Sequence, residues 1–186
     1  MPIPRQVAVA LLLVAAGFSS AQERSDTLVH RENAGTLDAD GWTTAESTEG
    51  RFAVRLPCKF NDFTIDTPQQ ELPTARAFML GCVGQDKRKF LVSQVTYKGG
   101  AEAARQSFEL NSKGLVMPRL SSKRESSFEG YRVVDLESRN EKYCGFVRYV
   151  LVEPTEIGML VEAPPAQCDS LSLDVQTFFS SLKIRP

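Results

Sequence analysis

The hydrophobic and polar positions change character at Gly50. Phe52, Val54 and Leu56 fall on one face of an extended segment, Ala53 and Arg55 fall on the other, and Pro57 stops the run, which is the period-two signature of a strand. A second strand is predicted from Phe60 to Asp66 and a third from Thr74 to Val83, with Thr67-Pro68-Gln69-Gln70 supplying the turn of a hairpin. Gly84-Gln85-Asp86-Lys87 turns the chain into a fourth strand, Lys89 to Tyr97, where Leu91, Val95 and Tyr97 share a face. The composition then switches to good helix formers from Ala101 to Lys113, with Gly114 where a C-terminal cap belongs. That helix is expected to pack through Ala101, Ala104 and Phe108.

Four further strands are predicted: Leu120 to Phe128, Tyr131 to Glu137, Tyr143 to Val152 and Ile157 to Ala163, turning at Glu129-Gly130, Arg139-Asn140 and Pro154-Thr155. The first of them has a centre of Ser, Lys, Arg and Glu and reads equally as an irregular solvated edge. Leu171, Val175, Phe178, Phe179 and Leu182 then recur at helical spacing, with Asp169 or Ser170 available as cap, so a terminal helix should cover the sheet. The order is ββββαββββα, and connections this short favour antiparallel pairing. The predicted fold is α+β, an antiparallel sheet packed between helices.

Ahead of this pattern lies a different segment. Arg5 precedes an apolar run from Val7 to Phe18, followed by Ser19-Ser20-Ala21, the layout of a secretory signal cleaved after Ala21. The run is too short to cross a hydrocarbon core of ~30 Å, which needs roughly 20 helical residues. The residue after the cut is Gln22 rather than cysteine, so no thioether-linked lipid is expected. Later apolar stretches are strand-length and broken by Arg148, Glu153 and Glu162, so no transmembrane segment is expected after cleavage. The domain organisation is therefore a signal peptide at 1–21, a flexible polar lead at 22–40 and one α+β domain at 41–186, soluble and periplasmic or secreted. A chain that is 42% hydrophobic and 24% charged with a net charge of −1 is an ordinary globular composition. It lacks what a strongly basic nucleic-acid binder, a collagen, a coiled coil or an acidic tail requires.

Export gives the four cysteines a meaning, because an even set in an oxidising compartment reads as disulfides. Three pairings are formally possible. Folding the second and third strands about Gln70 sets Cys58 opposite Cys82, and folding the last two about Glu156 sets Cys144 opposite Cys168. Opposed Cα atoms in an antiparallel ladder lie ~4.5 to 5.5 Å apart, inside the usual disulfide range. Hairpin geometry thus favours Cys58–Cys82 with Cys144–Cys168. The rival, a redox or metal site, calls for closely spaced cysteines or histidine partners that the chain does not have.

Little else in the sequence carries chemistry. The only histidine, His30, lies in the polar lead, where it could hold a metal loosely with Asp38 and Asp40 but reads better as a tail residue. There is no nucleophile elbow, P-loop, dinucleotide fingerprint or helical His-Glu-x-x-His, and no catalytic, metal or cofactor residue is assigned. Glu137 or Glu141 with Glu153 or Glu162 could form an acid and base pair, though such residues are mostly the solvated face of a strand. Lys98-Gly99-Gly100 could present N–H groups to an anion but reads as a strand-to-helix turn. Lys87-Arg88-Lys89 and Lys123-Arg124 are basic clusters without the interleaved aromatics that single-stranded nucleic acid needs, and read as charged turns or guarded edges. Trp42, the only tryptophan, is expected to close one end of the core.

Gly41-Trp42, the run Glu49-Gly50-Arg51-Phe52-Ala53-Val54-Arg55-Leu56-Pro57, and Val175-Gln176-Thr177-Phe178-Phe179-Ser180-Ser181-Leu182-Lys183-Ile184 form a set of short terminal motifs. Together they resemble bacterial exported proteins related to PsbP, the extrinsic photosystem II subunit. The resemblance covers Gly41 to Pro186. It implies an antiparallel sheet between helical layers and a non-enzymatic module that binds a protein partner or assists assembly. It carries no catalytic motif over to this chain. The four cysteines depart from the simpler members, and photosystem function is not carried over. The leading expectation is an exported, disulfide-stabilised binding or assembly module whose partner is another protein of the cell envelope. The alternatives are a periplasmic hydrolase using carboxylates, marked by a deep pocket with two acids, and a carrier for a small apolar ligand, marked by a closed apolar cavity.

Overall fold

The computed structural model describes residues 26–66, 75–114, 117 and 119–185. The signal segment and the turn at Thr67–Gln70 lie outside the described residues. Eight strands form one antiparallel sheet: β1 (Asp26–Ala34), β4 (Phe60–Asp66), β5 (Ala75–Val83), β6 (Lys89–Tyr97), β7 (Leu120–Phe128), β8 (Tyr131–Arg139), β9 (Cys144–Val152) and β10 (Thr155–Ala163). Their spatial order is β1-β4-β5-β6-β10-β9-β8-β7. A second antiparallel sheet, β11-β3-β2, is made from β2 (Thr43–Glu46), β3 (Phe52–Leu56) and β11 (Lys183–Ile184). Two helices, α1 (Gly100–Asn111) and α2 (Ser172–Ser180), complete the α+β fold, with a 3₁₀ turn at Pro165–Ser170 leading into α2.

The central strands are buried on both faces and the ends are not. β6 and β10 are enclosed along almost their whole length, whereas residues 120–127 of β7 are exposed on both sides. Alternate residues serve two cores. Phe90, Val92, Val150, Ile157, Met159 and Val161 face the small sheet and α2, meeting Phe52, Val54, Phe178 and Phe179. Val134, Leu136, Val147, Tyr149 and Leu151 face Ala104 and Phe108 of α1 on the other side. The strand predicted to open the domain, β3, therefore leaves the main sheet and becomes the centre of the second. Trp42 is buried, edge-to-face with Phe90 at 6.2 Å, and Arg55 lies 5.8 Å from its ring.

The polar lead differs from its expected form. Asp26–Ala34 is strand β1, paired antiparallel with β4. Leu28 and Val29 are about half exposed, so there is no apolar periodicity to read. Side-chain pairing holds the strand instead. Arg31 bonds the buried Asp62 at 2.6 Å, and the His30 ring meets the Thr64 hydroxyl at 2.8 Å. Thr48 adds its N–H and hydroxyl to the same Asp62 oxygen, at 2.9 and 2.6 Å.

Cys58 is joined to Cys82 and Cys144 to Cys168, with Cα separations of 5.9 and 5.8 Å. Neither bridge lies across a ladder. Asn61 opposes Gly81, which leaves Cys58 beyond the paired part of β4. Cys144 opposes Ala163, and Cys168 comes back to it from the 3₁₀ turn. The last hairpin turns at Glu153–Pro154, a cis peptide, rather than about Glu156. The predicted cap residues of the terminal helix are engaged elsewhere: Asp169 pairs with Arg139 at 3.0 Å, the Ser170 hydroxyl donates to the Gln167 carbonyl, and Leu171 stands at the N-cap.

A candidate binding groove and a buried carboxyl

Because α2 lies over the middle of the main sheet, it leaves the β7–β8 end of that face open. A groove of about 610 Å³ runs between them. Its floor comes from alternate residues of three strands, Ser122 and Arg124 on β7, Asp135 and Glu137 on β8, and Phe146 and Arg148 on β9, and its wall from Val175, Gln176 and Phe179 of α2. Strand alternation places all six floor residues on one face.

The floor is an ion-pair network. Arg148 forks onto Asp135 with Nε at 2.7 Å and Nη2 at 2.9 Å, both side chains less than one-fifth exposed. Its guanidinium also lies 4.8 Å from the Phe179 ring, so α2 and β9 are tied by a cation–π contact as well as by packing. Arg124 donates to Asp135 at 3.2 Å from a side chain that is 75% exposed. Both Asp135 oxygens are occupied, and Arg124 remains the accessible cation beside the aromatic wall.

The carboxylates considered as an acid and base pair are not brought together. Glu137 faces the groove. Glu162 lies on the opposite face, paired with Lys89 at 2.7 Å, Glu153 sits at the β9–β10 turn with Arg105 at 2.7 Å, and Glu141 is exposed in the β8–β9 turn. Two of the three cations of the basic cluster at the β5–β6 turn are paired: Arg88 bonds Asp86 and Asp174, and Lys89 bonds Glu162. At Lys98-Gly99-Gly100 the chain enters α1 without a side-chain cap, and Glu102 in the first turn complements the helix dipole. Asp38 accepts the backbone N–H groups of Asp40 and Trp42 and pairs with Arg55, away from His30.

A second polar cluster had no counterpart in the sequence reading. Glu156 is fully buried between β10 and α1, where Asn111 Nδ2 donates to it at 2.7 Å and the Tyr97 hydroxyl at 3.3 Å. Tyr97 and Ser107 share a hydrogen bond of 2.7 Å. The Tyr149 hydroxyl is buried nearby without a hydrogen-bond partner among the described residues. Burial pushes the Glu156 carboxyl above its ordinary value, and the bonds from Asn111, Ser107 and Tyr97 pull it part of the way back. Burial also pushes the Tyr97 and Tyr149 hydroxyls up, with the charge of Glu156 adding to the effect. The readable signal was on the helix: Ser107 and Asn111 continue the buried stripe of Ala104 and Phe108, and polar residues on such a stripe need a polar partner beneath.

This cluster sets a pH dependence. The native Glu156 holds its proton at pH values where the unfolded chain has released its own. The stability due to that proton is complete below the unfolded pKa and is lost as pH rises through the native one. Glu156→Gln keeps an acceptor for Asn111 and removes the titration. Its melting temperature is expected to gain on the wild type as pH rises, by roughly 2–6 °C across the acid-to-alkaline range. A difference that stays constant with pH in thermal scans contradicts the assignment.

Fold and groove together define an α+β protein built on an eight-stranded antiparallel sheet, with a half-open, charged groove on the face that carries its terminal helix. No protein-family model matches the chain, and no curated protein matches it. Among solved structures, the chain is similar to the solution structure of cyanobacterial PsbP (CyanoP) from Synechocystis sp. PCC 6803, at 11% identity and a TM-score of 0.49, over 82% of this chain and 98% of that one. It is also similar to LpqN, described as involved in cell envelope biogenesis of Mycobacterium tuberculosis, at 12% identity and a TM-score of 0.41, over 88% of this chain and 87% of that one. The fold assignment rests on the strands themselves.

Proposed function

We propose that this protein is an exported, disulfide-stabilised, non-catalytic binding or assembly module that engages another protein of the cell envelope through the groove between α2 and β7–β9. The observation that carries the reading is the occupied state of Asp135, at the centre of the groove floor. Asp135 is held by two arginines, which suits it to fixing a recognition surface rather than to moving protons. Beside it stand an exposed guanidinium, Arg124, and an apolar wall containing Val175 and Phe179. Such a surface complements an acidic residue adjoining an apolar side chain on the partner. Two disulfides suit an oxidising compartment, and the apolar leader ahead of Gln22 supplies the route to it.

A photo-crosslinking residue at Gln176, in the groove, is expected to give a discrete adduct in the cell envelope. The same residue at Gln106, on the exposed side of α1, is expected to give none, and Val175→Asp should reduce the Gln176 adduct several-fold. Equal adducts from both positions, or none from Gln176, would sink the reading. A hydrolytic activity lost in Glu137→Gln would replace it with the carboxylate enzyme.

A further inference from the structure

β7 ends the main sheet, paired with β8 on one side and with no strand among the described residues on the other. Both of its faces are exposed, so its outer backbone groups are open to another strand, a condition that folded proteins usually blunt with central charges. Here the order of those charges has a further property. Ser122-Lys123-Arg124-Glu125-Ser126 is self-complementary about Arg124. An antiparallel copy laid with Arg124 opposite Arg124 sets Lys123 against the second copy's Glu125 and Ser122 against its Ser126. Registers centred on Lys123 or on Glu125 also set one residue against its own like-charged copy, but they bring no opposite charges together.

Lys123 and Glu125 have no counter-charge directly opposite them on β8, where they face Leu136 and Val134, and Arg132 of β8 acts on Glu125 only from the diagonal position. They pair only with each other along the strand, at 2.9 Å. On the other face the opposed Arg124 side chains are the single like-charge contact. Each is bonded to its own Asp135 at 3.2 Å, and the groove floor carries Asp135 and Glu137 against Arg124 and Arg148. Ser121, the bulged residue between Leu120 and Ser122, donates its hydroxyl to the Glu137 carbonyl at 3.0 Å and interrupts the regular register on that side.

We propose that β7 is a homodimerisation edge: two copies join antiparallel about Arg124 into one continuous sheet, and reciprocal Lys123–Glu125 pairs set the register. The pairing follows from the edge and its charges whether or not the groove binds a partner. It also places like faces side by side, so that the two grooves meet at Ser122 and Arg124 and form one trough walled by both copies of α2.

The test is sedimentation of the purified protein from micromolar to millimolar concentration. Wild type is expected to show a monomer–dimer equilibrium. Lys123→Glu and Glu125→Lys each set two like-charged pairs across the edge and should weaken dimerisation about tenfold or more. An equimolar mixture of the two variants should form heterodimers, since each like-charged strand then faces its opposite, and the double variant K123E/E125K should recover the wild-type affinity. The side chains are exposed, so all variants should unfold at the wild-type midpoint. A wild type that stays monomeric throughout, a dimer indifferent to position 123, or an edge that takes up a foreign peptide while the chain remains monomeric would overturn the proposal.

Discussion

Phe178→Ala is expected to lower the free energy of unfolding by about 3–5 kcal/mol. The ring is fully buried and joins the parts of the larger core, between α2, the small sheet and the main sheet. It stands edge-to-face on Phe90 of β6 at 5.6 Å, touches Phe179 at 5.8 Å, and through Phe90 reaches Trp42. Truncating it leaves a cavity between α2, β6 and β3, at the place where the terminal helix is anchored and the groove wall is set. Denaturant unfolding followed by Trp42 fluorescence measures the loss. Leu173→Ala on the same helix, at a side chain 69% exposed, should change stability by less than about 0.5 kcal/mol. Similar effects from the two substitutions would mean that α2 does not dock as described.

The second large effect belongs to the disulfides. Each bridge spans a sequence separation of 24, and the two loops do not overlap. Replacing Cys58 and Cys82 by Ala, or Cys144 and Cys168 by Ala, should each cost about 3 kcal/mol, and removing both pairs about twice that, because separate loops act independently. A domain of this size has only about 5–15 kcal/mol in hand, so the fully reduced protein should sit close to its unfolding threshold. Urea midpoints of the two pairwise variants and the quadruple variant check this. Midpoints unmoved by reduction would show that the packed cores suffice without the bridges.

How far such features can be read from sequence depends on what holds them. β4, β5, β6, β8, β9 and β10 were legible because each is a strand-length segment rich in apolar residues and bounded by turn residues, and α1 and α2 because their apolar residues recur at helical spacing. β1 was not, since Arg31–Asp62 and His30–Thr64 hold it at an edge where Leu28 and Val29 stay exposed. β3 could be seen as a strand, but its place in a separate sheet depends on β11, which returns from the far end of the chain to pair Lys183 with Ala53. The missed carboxyl turns on a small shift. Placing the last hairpin's turn at Glu153–Pro154 puts Glu156 inside β10 and under α1 rather than at the tip. The groove is tertiary throughout, since nothing local sets Val175 and Phe179 beside Arg124 and Arg148. The exposed, charged character of β7, by contrast, was visible in its residues, and only its position at the end of the sheet had to come from the fold.

Export and the two disulfides can be checked together by non-reducing peptide mapping of the protein recovered from its compartment, with the N-terminus sequenced in the same run. The expected result is Gln22 at the start and two linked peptide pairs, Cys58 with Cys82 and Cys144 with Cys168. Free thiols, another pairing or a retained leader would contradict it and turn attention to the cysteines as a site of redox or metal chemistry.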